Sequence, residues 1–460
     1  MTTGNVQTTT DKTARLVELD KKHYIHPTTS AKAQATDGSP LIFSSGNGVY
    51  ATSTDGERYL DGLAMLWNVN LGHGNKELAQ AAYDQMMNMA YSSSFKGYSN
   101  EPAIELSKKL AEIAPGDLNS VFYTSGGSES NDTAFKLSRF YWELKGKPSK
   151  RKIIALNNAY HGVTVAAQTA TGIPAFHNFA GSNIGEVYHA KAHLTNCELG
   201  DKSDPNYQGS IRSIIEKEGA DTVAAVILEP VQGSGGVHIP PEGYIQAVRK
   251  LCDEFGILMI ADEVICGFGR TGKMFAVDHW DVVPDLMSMA KGISSGYSQL
   301  GGVMLRDEIR NTLVQYDGVL SHGFTYSGHP TACAVALKNI EILERDHIIE
   351  HVQAMEKVLK DGFRYLEDKH KHVTNTRSLG LLAAIELYED PETNTLFDDA
   401  VQPATVVVDE CFDRKLILRT LGLHREIIAI APPLIINKQE IEEMIGIIDD
   451  SITAFVKKLG

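Results

Sequence analysis

Two stretches decide the fold class of this sequence: Ile260-Ala-Asp-Glu-Val-Ile-Cys-Gly-Phe-Gly-Arg-Thr-Gly272 and, further along, Met289-Ala-Lys-Gly292. In each, a run of apolar residues stops and an ionisable side chain follows, Asp262 in the first and Lys291 in the second. Short apolar runs without polar alternation are typical of strands that are buried on both faces of a parallel sheet. Ligands bind beyond the carboxyl ends of such strands, so Asp262 and Lys291 are the first candidates for a functional site.

The same kind of apolar run recurs between longer amphipathic segments from about Ala79 to the 330s. This alternation predicts an α/β fold in which helices cover a mostly parallel sheet. The predicted strands are Ser120–Tyr123, Lys152–Leu156, Val223–Leu228, Ile257–Ile260, Asp285–Met289 and Gly301–Leu305.

The two ends of the chain depart from this alternation. The stretch Gly48–Leu60 is typical of two short strands around a turn. After His329 the pattern predicts helices, and then a strand over Leu379–Leu387. A last helix is predicted to begin at Asn437, because Glu440 follows at the spacing of a capping box. The change of pattern near residue 330 predicts a structural boundary there.

The composition and net charge of the chain indicate which classes of binding partner are not expected to be recruited by charge. The chain has 460 residues, of which 43% are hydrophobic, and can therefore bury a sizeable core. Its formal net charge is -15 and its sequence pI is near 5.5. Nucleic acids and anionic membranes recruit clustered Lys and Arg, and the sequence has no basic stripe, so neither partner is expected.

The cysteines and the N-terminal residues indicate in which cellular compartment the protein is expected. The five cysteines lie far apart and form no Cys-x-x-Cys pair, so neither a disulfide framework nor a thiolate metal site is expected. The first thirty residues are polar and have no apolar core, and no run of eighteen apolar residues follows. We therefore expect a cytoplasmic protein without a metal.

Three further strand ends carry polar or aromatic residues. Ser120–Tyr123 leads into the glycine-rich segment 124–130 and then a helical pattern, which fits either a phosphate cradle or a tight turn with a helix cap. Lys152–Leu156 leads to Tyr160, whose ring could cover a planar cofactor. Val223–Leu228 leads to Glu229 and a second glycine-rich loop.

The chemistry of Asp262 and Lys291 completes this set. A carboxylate at the end of a buried strand needs donors or a cation, because desolvation opposes its charge; capping a helix is the simpler alternative for Asp262. A lysine drawn into such a site can lose its proton, and the neutral amine can attack a carbonyl to give a Schiff base. A phosphate cradle, an aromatic cover, an acid for a ring nitrogen and a nucleophilic lysine are the parts that pyridoxal 5'-phosphate requires.

With these motifs in place, the sequence resembles the class III aminotransferases. The resemblance rests on the two opening stretches and on Gly126-Gly-Ser-Glu129, Tyr160-His-Gly162, Glu229-Pro230 and Gly323-Phe-Thr-Tyr-Ser-Gly-His-Pro330, and it covers most of the chain. It implies the pyridoxal-phosphate fold-type I architecture with helices on both faces of the large sheet. It also implies a large cofactor domain over residues 66–330, a small α+β domain built from residues 1–65 and 331–460, and a homodimer or a dimer of dimers.

The resemblance assigns roles to named residues. Lys291 would carry the cofactor and move protons, and Asp262 would hold the pyridine nitrogen. The remaining cofactor contacts would be Val264 and Tyr160 on the two faces of the ring, Gly126 and Gly127 at the phosphate, Glu229 near the ring hydroxyl, and Thr325 reaching the phosphate of the neighbouring subunit.

Other positions concern the substrates, an amine donor and a keto acid acceptor. Members of the ornithine and gamma-aminobutyrate type carry a glutamate five residues after Glu229, whereas this sequence has Ser234. It is therefore more similar to the omega-amino acid and amine:pyruvate group, with a pocket expected to include Trp67, Phe95 and Arg419. Arg425 is the alternative to Arg419 as the carboxylate-binding arginine.

Two other functions use the same parts. An aminomutase or racemase on this scaffold would keep the lysine and the aspartate but need no second keto substrate. A noncatalytic protein that retains the fold would bind the cofactor without turnover.

Overall fold

The computed structural model describes residues 3–179 and 183–459, with side chains from residue 11 onward. Its strands are β1 (Phe43–Asn47), β2 (Tyr50–Ser53), β3 (Arg58–Asp61), β4 (Leu118–Thr124), β5 (Lys152–Leu156), β6 (Val187–Ala190), β7 (Val223–Leu228), β8 (Leu258–Asp262), β9 (Leu286–Met289), β10 (Gly301–Arg306), β11 (Val373–Leu379), β12 (Leu382–Leu387), β13 (Leu416–Ile417), β14 (Arg419–Leu421) and β15 (Ile427–Ile430).

The α-helices are α1 (Thr3–His23), α2 (Ala31–Asp37), α3 (Ala64–Trp67), α4 (Lys76–Met89), α5 (Glu101–Ile113), α6 (Gly127–Leu144), α7 (Val165–Ala170), α8 (Pro174–His177), α9 (Thr195–Glu198), α10 (Ile211–Glu218), α11 (Tyr244–Phe255), α12 (Asp307–Val314), α13 (Pro330–Arg345), α14 (Ile348–Lys369), α15 (Pro403–Asp413) and α16 (Lys438–Leu459). Of the helices in the described residues, none is long and apolar enough to cross a membrane.

A seven-stranded sheet in the order β4-β10-β9-β8-β7-β5-β6 forms the centre of the molecule. The pairs β9-β8, β8-β7, β7-β5 and β5-β6 are parallel, and β10 runs antiparallel to both of its neighbours. The six predicted strands are all present, and the expectation of a mostly parallel sheet is confirmed. The sequence did not predict β6, an edge strand whose residues Val187 to His189 are only partly buried.

Helices cover both faces of this sheet, because successive side chains of a strand point to opposite sides. Ile227 and Ile260 share one apolar cluster with residues of α6, such as Phe135. Their neighbours Val226 and Met259 belong to a different cluster, with residues of α10 and α11. Each fully buried side chain of this size contributes roughly 1.5–3 kcal/mol, so the central strands hold the sheet rigid.

Two smaller sheets contain the segments near the chain ends. In the first, β3 of the N-terminal part pairs in parallel with β13 of the C-terminal part. The second has the order β11-β12-β15-β14. The single strand predicted over Leu379–Leu387 is wrong: a tight turn at Gly380 divides that region between β11 and β12. Gly380 has φ +59, and a Cβ there would lie 2.4 Å from the carbonyl carbon of Thr271. The domain limits 1–65, 66–330 and 331–460 stay a prediction.

The last helix begins as its sequence predicts. The side chain of Asn437 accepts a hydrogen bond from the amide of Glu440 at 3.0 Å, and the Glu440 carboxylate accepts one from the amide of Asn437 at 2.9 Å. This capping box fixes the start of α16, and its apolar stripe is buried as expected, with Ile441, Met444, Ile445, Ile448, Ile452 and Phe455 in the core.

Candidate active site

A cavity of about 890 Å³ lies at the carboxyl edge of the large sheet. Strands β4, β5, β7, β8 and β9 run in the same direction, so the segments that follow them converge at this edge. The structure brings eight of the predicted site residues to the cavity wall: Trp67, Gly127, Tyr160, Glu229, Asp262, Val264, Lys291 and Arg419.

Asp262 ends β8 and is 3% exposed. One carboxylate oxygen accepts hydrogen bonds from Asn131 Nδ2 and His161 Nδ1, both at 2.8 Å, and the other accepts one from the amide of Val264 at 3.1 Å. Three donors thus compensate the cost of burying this charge. The residues after Asp262 form turns rather than a helix, so the alternative role as a helix cap is wrong.

Lys291 follows β9 and starts a 3₁₀ turn over Lys291–Ile293. Its backbone has φ +45, a left-handed conformation that is uncommon for residues other than glycine and that directs the side chain into the cavity. Loss of water around the amine lowers the pKa of Lys291 to about 8, although the nearby Asp262 and Glu229 oppose this shift. About a tenth of this amine is therefore neutral and nucleophilic at pH 7, and the fraction grows as the pH rises.

The start of α6 forms another part of the wall. Gly126 is its N-cap, and no side chain caps the first turn. The amides of that turn can therefore bind an anion, aided by the helix dipole. A Cβ at Gly127 would lie 3.0 and 3.1 Å from the two methyl groups of Val264. Glycine at this position thus lets the helix start and Val264 approach each other closely.

Glu229 joins the Tyr160 segment to the glycine-rich loop after β7. Its carboxylate accepts hydrogen bonds from the amide of Tyr160 at 2.8 Å and from the amide of Gly233 at 2.9 Å. Burial raises the pKa of Glu229 to about 7, and the Asp262 charge adds to the shift while His161 opposes it. Near neutral pH this group can either donate or accept a proton at the cavity wall.

Trp67 lies beside two of the cations that line the cavity, Lys291 and Arg419. Its ring is 2% exposed, and the ring centroid lies 5.9 Å from Lys291 Nζ and 5.3 Å from Arg419 Cζ. Arg419 has no ion pair with a carboxylate of the described chain. Desolvation lowers the pKa of Arg419, with Tyr160 acting in the opposite direction. Ser234 and the exposed Arg425 also line the cavity.

Phe95 and Thr325 lie apart from the cavity of their own chain, so a place for Phe95 in the substrate pocket stays a prediction. Phe95 is 50% exposed and packs against Gly323, where a Cβ would lie 3.2 Å from its ring. Thr325 is exposed, and its carbonyl accepts a hydrogen bond from the Tyr91 hydroxyl at 2.8 Å. The two residues therefore share one surface cluster.

Comparison with known proteins identifies the family. Residues 31–452 match the family described as aminotransferase class-III. The chain belongs to the class III aminotransferases. It is 40% identical over 446 residues to the putrescine–pyruvate aminotransferase of Pseudomonas aeruginosa, a match that covers 96% of each chain. It is 34% identical over 442 residues to the diaminobutyrate–2-oxoglutarate transaminase of Halomonas elongata, covering 94% of each. The crystal structure of a transaminase from a marine Virgibacillus superposes with a TM-score of 0.94 at 47% identity, covering 97% of this chain and 100% of that one.

Class III aminotransferases use pyridoxal 5'-phosphate, and the cavity of this aminotransferase fits that cofactor. The uncapped start of α6 suits a phosphate, while the compensated carboxylate of Asp262 suits a protonated ring nitrogen. Lys291 is the amine that a cofactor aldehyde requires. Among the described residues, two buried polar atoms beside Asp262, His161 Nε2 and Asn131 Oδ1, have no hydrogen-bond partner.

Asn131 and His161 are the site residues that the sequence left without a role. His161 follows Tyr160 in a stretch already placed at a strand end, and it could have been suspected for that reason. Asn131 lies one turn inside α6. Its amide also donates to the carbonyl of His161 at 2.7 Å, so the aminotransferase holds Asp262 through a connected pair.

Proposed function

We propose that this aminotransferase moves an amino group from an omega-amino acid or a primary amine to pyruvate. One observation carries the proposal: the Arg419 guanidinium faces the cavity beside Trp67, unpaired with any carboxylate in the described part of the chain. The glutamate expected of the ornithine and gamma-aminobutyrate type is replaced by Ser234. Of the two curated relatives described above, the more similar one is named for pyruvate and the other for 2-oxoglutarate.

The residues divide the work of such a reaction. When bound, pyridoxal 5'-phosphate would supply a carbonyl for the amino group and an electron sink for the negative charge formed at the substrate carbon. Lys291 carries protons to and from that carbon, since its amine can exist in either protonation state near neutral pH. Asp262 offers its carboxylate at the end of β8, and His161 with Asn131 fixes its orientation. Val264 and Tyr160 form part of the cavity wall, where they would limit the position of the cofactor ring.

Arg419 reconciles two unlike substrates. A keto acid brings a carboxylate, whose burial without a partner is costly, and a guanidinium can bind it with two parallel hydrogen bonds. An amine with an apolar tail needs the same space without the cation. Because Arg419 is not held by an anion, it can turn toward or away from the cavity. Trp67 then offers a flat apolar wall to the tail.

We expect Arg419→Ala to impair the half-reaction with pyruvate and to leave deamination of a neutral arylalkylamine largely intact. Removing one charge-assisted pair costs about 1.5–3 kcal/mol, which corresponds to a loss of roughly 10- to 150-fold. Single-turnover spectroscopy measures each half-reaction separately. Arg425→Ala is the comparison, since that exposed residue is the alternative partner. Equal losses in both half-reactions of Arg419→Ala, or an unimpaired pyruvate step, would show that Arg419 is not the switch.

A donor-by-acceptor panel tests the substrate class directly. We expect pyruvate to be accepted far better than 2-oxoglutarate. The longer acceptor brings a second carboxylate, and the other arginine among the described residues that line the cavity, Arg425, is exposed rather than buried. A preference for 2-oxoglutarate would instead place the protein with the Halomonas elongata relative. Turnover of one amino acid without any keto acid would favour an aminomutase or racemase.

We also propose that the active unit is a homodimer with shared sites. The cluster of Phe95 and Thr325 is surrounded by exposed aromatic residues, with Tyr91 43%, Tyr98 67% and Tyr326 58% exposed. Apolar surface of this extent is typical of an interface. A second copy seated there would bring Thr325 to the helix start of its partner's cavity.

Mixing two damaged proteins tests the shared site. Lys291→Ala removes the amine of one subunit, and Thr325→Ala damages the site that it completes in the other. Hybrid dimers should contain one intact site, so the mixture should exceed the summed activity of the two variants. A fully active monomer, as measured by light scattering, would contradict this arrangement.

We also propose a cytoplasmic location, since all five cysteines are free and buried, as is typical of a protein in a reducing compartment.

A further inference from the structure

The turn that carries Trp67 is strained. Ala64, Met65 and Trp67 have φ values of 46, 56 and 58°. Left-handed backbone is uncommon for residues other than glycine, and bulky side chains adopt it only where the surroundings enforce it. Such a turn relaxes unless other groups hold it.

Trp67 does not hold the turn through its own side chain. Its indole Nε1 is buried and has no acceptor among the described residues. Backbone bonds join the amide of Trp67 to the carbonyl of Leu63 at 3.0 Å and the amide of Asn68 to the carbonyl of Ala64 at 3.1 Å. The amides at the start of the turn have a different partner.

That partner is Asp61, which ends β3 and is fully buried. Its carboxylate accepts hydrogen bonds from the amide of Leu63 at 3.1 Å and from the amide of Met65 at 3.0 Å to each oxygen. His73 Nε2 lies 3.0 Å from one of those oxygens. Asp61 therefore forms hydrogen bonds on both sides of Ala64, the first strained residue.

Asp61 also lies next to the strand that leads to Arg419. In the pairing of β3 with β13, Ile417 is opposite Asp61, and β14 begins with Arg419 shortly afterwards. The amide of Gly62 donates to the carbonyl of Ile417 at 3.0 Å, which ties the two segments together. The turn that carries Trp67 and the strand that begins with Arg419 therefore both follow shortly after the hydrogen-bonded residues Gly62 and Ile417.

We propose that Asp61 is a positioning residue that holds the strained Trp67 turn against the cavity and so determines how the substrate tail fits. Asp61 is not among the described residues that line the cavity, and it acts through Trp67. The Trp67 ring contacts both cations, with its centroid 5.9 Å from Lys291 Nζ and 5.3 Å from Arg419 Cζ, so a small displacement of the turn changes the space beside both. The inference rests on the proposed function only in taking this cavity as the amine site.

The test compares Asp61→Asn with wild-type holoenzyme. Asparagine keeps the size of the side chain but replaces one carboxylate oxygen, an acceptor, with an NH₂ group, a donor. In place of the oxygen that now bonds to the amide of Met65 and to His73, this donor would face two donors. We expect the KM for 1-phenylethylamine to rise about tenfold or more while kcat stays within about threefold, because Lys291 and Asp262 are untouched. Amide hydrogen exchange over residues 62–68 should accelerate by about tenfold or more.

Asp285→Asn is the matched control. Asp285 is a partly buried carboxylate that likewise accepts a backbone hydrogen bond, from Met259 at 2.7 Å, and pairs with a basic side chain, Arg249 at 2.8 Å. It does not line the cavity. This variant should lose stability as Asp61→Asn does, yet keep the KM and the exchange rate of residues 62–68.

His73→Ala keeps the proposal testable if Asp61→Asn does not fold. This substitution removes the hydrogen bond from His73 to the Asp61 carboxylate but keeps those from the amides of Leu63 and Met65. The KM for 1-phenylethylamine should therefore rise by only about threefold. Wild-type KM and wild-type exchange in the variant that folds would overturn the proposal, as would a raised KM with unchanged exchange. Failure of wild-type enzyme to transfer an amino group from any primary amine or omega-amino acid to pyruvate would refute the proposed function alone, because the exchange measurement does not depend on the substrate.

Discussion

Lys291→Ala should abolish transamination, with a loss of at least roughly 10²–10⁴-fold, the effect associated with a positioned acid–base group. The expectation follows from the location of the amine at the end of β9, inside the cavity, with Asp262 and Glu229 close enough to influence its charge. Only a neutral amine can form the covalent bond to the cofactor aldehyde. The lowered pKa, about 8, supplies that form.

Borohydride reduction and peptide mapping locate the attachment. The label should be found on Lys291 and not on Lys150, which is the matched control. Burial lowers the pKa of Lys150 to about 8 as well, but its ammonium donates to the carbonyls of Ala220 at 2.8 Å and Gly256 at 2.9 Å, away from the cavity. A label on Lys150 or on any other lysine would refute the assignment. In the apoprotein, attachment should become faster as the pH rises through about 8, because the neutral fraction of Lys291 grows.

The positions of Lys291 and Asp262 could be predicted because a buried strand leaves a clear signal. Strands β7, β8 and β9 are buried along their whole length, so before their ends their sequences are apolar except for Ser288 in β9. The first ionisable residue at the end of each run marks the functional edge. Parallel pairing then brings those edges together whatever the distance along the chain. The cavity was therefore predictable as a set of strand ends.

Features that depend on tertiary contact were not predictable. The pair of Asn131 and His161 matters only because α6 lies across the end of β8, and an asparagine inside a helix has no distinctive pattern. The turn at Gly380 was missed because the apolar sequence continues through it, while close approach to Thr271 is what requires the turn. Edge strand β6 is too polar for the apolar-run criterion.

The second large loss of activity is expected when Asp262 is replaced, and a comparison with its neighbour Glu263 explains why. Both carboxylates are buried side by side, but their surroundings differ. Asp262 has three donors, two of them side chains. Glu263 accepts from the amide of Val277 at 2.8 Å, and one of its oxygens has no partner in the described structure. Desolvation raises the pKa of Glu263 to about 8, so this acid is mostly neutral at pH 7.

Asp262→Asn should therefore keep the cofactor but slow the first half-reaction on the order of 10²-fold, the effect of losing a charge-assisted hydrogen bond. Glu263→Gln is the matched control, because it replaces a neutral acid by a neutral amide of the same shape and should leave turnover near that of the wild type. Cofactor absorbance and single-turnover rates at pH 7 measure binding and chemistry separately. Near-normal turnover of Asp262→Asn with the cofactor bound would mean that the ring nitrogen needs no negative charge beside it. A loss in Glu263→Gln as large as that in Asp262→Asn would mean that both substitutions act by disturbing the end of β8, since only one of them removes a charge.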